Sequence, residues 1–141
     1  MFGYATKLTI VGLLACVAGA ALAGPVTLAL PGGQTVMMGA QSPAPGLTLT
    51  LTEVTDQRCP SAADCYWEGT IRAVIAVQNG AGAVQMVVLC NLCDDGHRTA
   101  VAAGVTLTLD HLKPRVEVIE GLGRAAVLAD YVVVVGVADL L

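Results

Sequence analysis

The strongest constraint on the fold of this chain is a period of two. Leu47, Leu49 and Leu51 alternate with Thr48, Thr50 and Thr52, and Val105, Leu107 and Leu109 alternate with Thr106 and Thr108. Successive side chains of an extended strand point to opposite sides, so each run predicts a strand with its aliphatic row inside and threonine facing water. Glu53 continues the leucine row, which predicts that this strand reaches the rim of the core there. Residues 71–78 and 84–89 are apolar and rich in β-branched side chains, and Asn79-Gly80-Ala81-Gly82 between them tolerates the positive φ of a tight connection, a hairpin signal. On the first arm Trp67, Gly69, Ile71, Ala73, Ile75 and Val77 share a parity, so Trp67 is expected as a large plug at one end of the core. Further strands are predicted at 26–30, 35–38, 115–119 and 131–137, with Gly- and Pro-rich breaks between them. Pro114 suits a strand start or edge. No amphipathic helix is expected, and residues 124–130 can form one turn or a short helix. Such a series of short strands predicts an all-β fold, an antiparallel β-sandwich of the immunoglobulin-like kind or a small barrel. The run Val132-Val133-Val134-Val135 is apolar on both faces, so the strand between Tyr131 and Val137 must lie inside a sheet or form a subunit contact in a homo-oligomer.

The N-terminus carries a different signal. Residues 1–23 hold a single charge, Lys7, then an apolar run, then Ala21-Leu22-Ala23, the small-x-small pattern of a signal-peptidase site. A transmembrane anchor needs about 20 apolar residues, and this run is shorter and rich in Ala and Gly. Leu13-Leu14-Ala15-Cys16 resembles a lipobox, which keeps a lipid anchor on Cys16 as an alternative. The reading is therefore a signal peptide over 1–23, no transmembrane span after cleavage, and one exported domain over 24–141, periplasmic or extracellular.

Export changes the meaning of the cysteines. Five become four when Cys16 is removed, and an even number in an oxidising compartment favours disulfides. Cys59 and Cys65 enclose a loop containing Pro60, Ser61 and Asp64, residues that suit a turn. Local pairs, Cys59 with Cys65 and Cys90 with Cys93, are favoured, and cross pairs between the clusters stay open. The motif Cys90-Asn91-Leu92-Cys93 ends a strand-like run and precedes the acidic Asp94-Asp95-Gly96. Redox Cys-x-x-Cys pairs open a helix whose N-terminus lowers the thiol pKa, so a thioredoxin-like role is disfavoured. Cys90, Cys93, Asp94 and His97 form the alternative, a zinc or copper site, since thiolate and imidazole suit those metals. Calcium on Asp94 and Asp95 would lack most of the six to eight oxygens that ion takes. Met37 and Met38, adjacent on a strand, point to opposite faces and cannot easily grip one copper ion.

Without Lys7 the exported chain has six basic and eleven acidic side chains, a net charge of −5, and no basic cluster. Nucleic acid is excluded as a partner on that ground, because binding a phosphate backbone depends on local positive charge. Catalytic groups are sparse. Neither Ser42 nor Ser61 sits in a nucleophile elbow, and no His-Glu-x-x-His or phosphate-binding glycine loop occurs. Asp110-His111 can orient an imidazole, which is all that supports a small hydrolase.

The segment Asp56-Gln57-Arg58-Cys59-Pro60, followed by Cys65-Tyr66-Trp67-Glu68-Gly69, resembles a group of small uncharacterised exported bacterial proteins and lipoproteins that share Asp-Ser-Arg-Cys-Pro, then Cys-x-Trp-x-Gly and an alternating strand. Gln57 replaces the usual serine, and Cys90-x-x-Cys93 is not part of that pattern. The resemblance implies a β-rich exported domain and supplies no catalytic residues. The expected function is a non-enzymatic binding or envelope-structural module without a cofactor. The alternatives are a metal-binding protein using the Cys90, Cys93 and His97 cluster, and a hydrolase dependent on His111.

Overall fold

The computed structural model describes residues 24–94 and 96–140. The expected signal peptide over 1–23, Cys16 and Asp95 lie outside the described residues. The strands are β1 (Val26–Pro31), β2 (Thr35–Met37), β3 (Leu47–Arg58), β4 (Gly69–Asn79), β5 (Gln85–Asn91), β6 (Thr99–Ala102), β7 (Val105–Lys113) and β8 (Val132–Asp139). One helical turn, α1 (Val116–Glu120), and a 3-10 turn at Leu128–Asp130 lie between β7 and β8.

Two four-stranded sheets, ordered β1-β8-β7-β6 and β2-β3-β4-β5, pair antiparallel throughout and form a sandwich. Among the described residues each sheet keeps two free edges and the sheets do not close on each other, so the barrel expectation does not hold. Nor does the immunoglobulin-like one. The chain changes sheets only between β1 and β2 and between β5 and β6, whereas immunoglobulin connections cross repeatedly. The inner faces supply the core, with Leu47, Leu49, Leu51, Ile75 and Leu89 facing Leu107, Leu109, Val133 and Val135, all at most 1% exposed. Sheets packed face to face bury alternate residues in this way, which is why both threonine rows lie outside. β8 has β1 on one side and β7 on the other. Its valine run is thus an interior strand, the first of the two placements expected for it.

Two bulges interrupt the alternation. On β3, Leu51 faces Ile75 and Glu53 faces Val74, leaving Thr52 as the extra residue. Its hydroxyl donates to the Val74 carbonyl at 3.1 Å. A bulge shifts parity by one, so Glu53 turns outward and does not continue the leucine row, while Val54, Asp56 and Arg58 turn inward. On β7 the extra residue is Asp110, bracketed by Arg98, whose Nε and Nη2 donate to the Leu109 and Asp110 carbonyls at 2.6 and 3.0 Å.

Residues 115–119, expected as a strand, mostly fall in α1. Both sides of β7 are already occupied, by β6 and β8, and Val116 and Ile119 have helical i, i+3 spacing. The expected turn within 124–130 is the 3-10 turn, closed by Arg124 donating to both Asp130 oxygens at 2.7 and 2.8 Å. Strand β6 was not expected. It joins β7 through Ala103 and Gly104, with φ of 49° and 78°, a two-residue hairpin without the Asn-Gly signature of such turns.

Candidate functional site

The β3–β4 hairpin ends in a ten-residue loop, 59–68, and its construction begins at Gly69. Gly69 has φ of 87°, and a Cβ there would run into the Gln57 carbonyl oxygen and lie 2.6 Å from the Arg58 Cα. Only glycine allows β3 and β4 to approach so closely in that conformation. The left-handed residue also breaks the alternation of β4. Trp67 therefore leaves the inward row instead of plugging the core, and it is 58% exposed beside a fully exposed Tyr66. The structural role expected for Trp67 is corrected accordingly.

The loop is tied at several points. Cys59 and Cys65 form a disulfide with Cα atoms 6.1 Å apart, the Cys59 amide donates to the Glu68 carbonyl at 3.0 Å, and the Ala63 amide donates to the Pro60 carbonyl at 3.1 Å. The Ser61 amide donates to Glu120 Oε1 at 3.0 Å and its hydroxyl donates to Oε2, so α1 braces the tip.

At the foot of the loop the bulge of β3 delivers Asp56 and Arg58 to the inner side. The Arg58 Nε and Nη2 donate to the two Asp56 oxygens, each at 2.8 Å, and its Nη1 donates to the Pro114 carbonyl at 2.9 Å. Both side chains are largely buried. The Tyr131 hydroxyl donates to Asp56 Oδ2 at 3.3 Å. Burial pushes the Asp56 carboxyl up, but the Arg58 hydrogen bonds from side chain and backbone, the guanidinium charge and the Tyr131 hydroxyl outweigh it and hold it below the ordinary carboxylate value. Burial, followed by the charge of Asp56 and the hydrogen bond to it, pushes Tyr131 up. Asp56, Arg58, Pro60, Val116, Ile119, Glu120 and Tyr131 line a cleft of about 170 Å³ at this end of the sandwich.

The second cysteine cluster is built differently. Cys90 and Cys93 are bonded to each other with Cα atoms 5.8 Å apart, so both local pairings form. Cys90 is buried, and Gly96 packs against the pair so closely that a Cβ on it would lie 2.6 Å from the Cys90 Cβ. The bond joins the two sulfurs that the metal reading needs as thiolates. His97 contributes its backbone carbonyl to the Cys90 amide at 2.9 Å, while Asp94 is exposed. No group of three His, Cys, Asp or Glu that could hold a metal occurs among the described residues. Met37 is 68% exposed and Met38 3%, on opposite sides of their segment as expected.

The remaining catalytic candidates are scattered. His111 Nδ1 lies 3.0 Å from Asp110 Oδ2 with both side chains about half exposed. The Ser42 hydroxyl donates to the Gly39 carbonyl at 2.6 Å, and Ser61 is engaged with Glu120. Sequence reasoning missed Asp56, Arg58, Glu120 and Tyr131 as a constellation. The i, i+2 spacing of Asp56 and Arg58 was a usable signal, but their partners lie more than fifty residues away. The chain matches no known protein family, no curated protein and no solved structure.

Proposed function

We propose that this protein is an exported, non-enzymatic binding module that engages its target through the tip of the β3–β4 hairpin. The observation that carries the reading is the exposure of Tyr66 and Trp67 side by side on a loop held by a disulfide, by backbone hydrogen bonds and by Ser61 to Glu120. Large exposed aromatics supply most of the energy in recognition sites. A loop already fixed in one shape loses little conformational entropy on binding. Two of the three aromatic side chains outside residues 1–23 stand here, so the concentration is local. Export agrees with two disulfides and with the signal-like residues 1–23, and no helix among the described residues is long and apolar enough to cross a membrane.

Co-sedimentation of the exported chain with envelope fractions of its host tests the reading. Wild type should pellet with the fraction holding its target, and a Tyr66→Ala/Trp67→Ala variant should stay in the supernatant with an unchanged melting temperature, because exposed side chains contribute little to stability. Equal pelleting of the two proteins, or none by wild type, would sink the proposal.

A further inference from the structure

We infer that the target presents a basic polypeptide segment, and that a lysine or arginine side chain of it enters the cleft beneath the hairpin tip; this deepens, and rests on, the reading of that tip as the binding surface. The charges around the site decide the sign. Within the loop Asp64 and Glu68 are both exposed and no basic residue accompanies them. Glu120 stands in the cleft wall, fixed there by the amide and hydroxyl of Ser61. Its oxygens can each accept a further hydrogen bond. Arg58, the only cation lining the cleft among the described residues, is matched by Asp56, and its Nη1 is committed to the carbonyls of Pro114 and Leu112. It cannot turn to hold an anionic ligand without leaving Asp56 largely buried and without its ion-pair partner, which is strongly unfavourable. Arg115 and Glu117, both exposed at the start of α1, offset each other.

The apolar parts of the cleft agree with this occupant. Pro60, Val116 and Ile119 line it beside Glu120, and long basic side chains lay an aliphatic stem on such surfaces while their charged end finds a carboxylate. Tyr66 follows directly on Cys65, whose Cα is 6.1 Å from that of Cys59, next to Pro60. The disulfide thus ties the stretch that carries the exposed aromatics to the one that carries Pro60 of the cleft wall, and aromatic faces attract cations. An acidic or phosphorylated partner would meet Asp64, Glu68 and Glu120 with like charge.

The test uses tetralysine, with tetraserine and tetraglutamate as controls. Trp67 is the only tryptophan, so its emission reports on the site alone. Tetralysine should change that emission saturably at low salt, with affinity falling as salt is added, while the controls leave it unchanged. Glu120→Gln should weaken binding about tenfold or more, the effect of losing one charge-assisted hydrogen bond. Asp64→Asn, at an exposed position, should weaken it by a smaller factor without touching the brace. Trp67→Ala, followed by calorimetry, should also weaken it about tenfold or more. Equal affinity of wild type and all three variants would mean diffuse attraction to a net-negative chain and would overturn the inference. No binding of tetralysine, or binding of tetraglutamate, would overturn it too. Because co-sedimentation is scored separately, a protein that pellets through Trp67 yet ignores tetralysine would retain the binding tip and lose only the basic partner.

Discussion

At the scale of single residues, the pair Asp56 and Arg58 decides more than any other. Arg58 holds the Asp56 carboxylate with two hydrogen bonds and reaches across the sandwich end to the Pro114 carbonyl. Replacing it by methionine leaves a largely buried carboxylate without its partner, and such losses destabilise by about 3 kcal/mol. Urea unfolding at neutral pH of Arg58→Met against wild type measures this, and a loss well under 1 kcal/mol would contradict it. The Asp56 pKa is lowered in the folded protein, so its contribution is fully present above the unfolded carboxyl value of about 3.9 and fades as pH falls through the folded one. The stability gap between wild type and Asp56→Asn should therefore be widest at neutral pH and close on acidification. Asp130, held down to about 2 by the Arg124 hydrogen bonds and the Val127 amide, should protonate well below the ordinary carboxylate range when its titration is followed by NMR. Asp56 was legible in the sequence only as part of a motif. Its burial follows from a change of parity two turns of the pleat earlier, which no local composition announces.

At the scale of elements, that change belongs to Thr52. The bulge adds one residue between Leu51 and Glu53, and without it Glu53, Thr55 and Gln57 would have faced the core. Deleting Thr52 should be tolerated at a loss of about 1–2 kcal/mol, because the residues beyond it keep their inward and outward positions in a regular ladder. Deleting Thr50 should cost about 3 kcal/mol or more, since restoring the same downstream parity removes Leu51 from the core. Thermal unfolding of the two variants separates these outcomes, and equal losses would show that parity is not what the bulge controls. The strand runs themselves were legible because alternation is a local property. The helix α1 was not, since Val-Glu-Val-Ile-Glu satisfies a strand pattern until both sides of the preceding β7 are found occupied.

At the scale of the whole molecule, both disulfides are local and neither joins the two sheets. Closing such short loops stabilises by about 2 kcal/mol each through the unfolded state, so the sandwich should remain folded after reduction with a lowered melting temperature. Circular dichroism with and without reductant tests this, and complete unfolding at room temperature would contradict it. The cohesion resides in the apolar core, where two leucine-bearing strands meet a buried valine strand. Alternation, turn residues and the cysteine count determined by themselves that the chain is an all-β fold with its aliphatic rows inside and disulfides among four cysteines, because each is set by neighbours within a few residues, while the choice of local over crossed pairs came from the tertiary structure. Only the tertiary structure decided that β8 is interior, that Trp67 faces water and that Asp56, Arg58, Glu120 and Tyr131 meet at one end. Those outcomes depend on two bulges, on the left-handed backbone of Gly69 and on strands brought together across long stretches of chain, and a one-residue shift in any strand reverses which side chains the core receives.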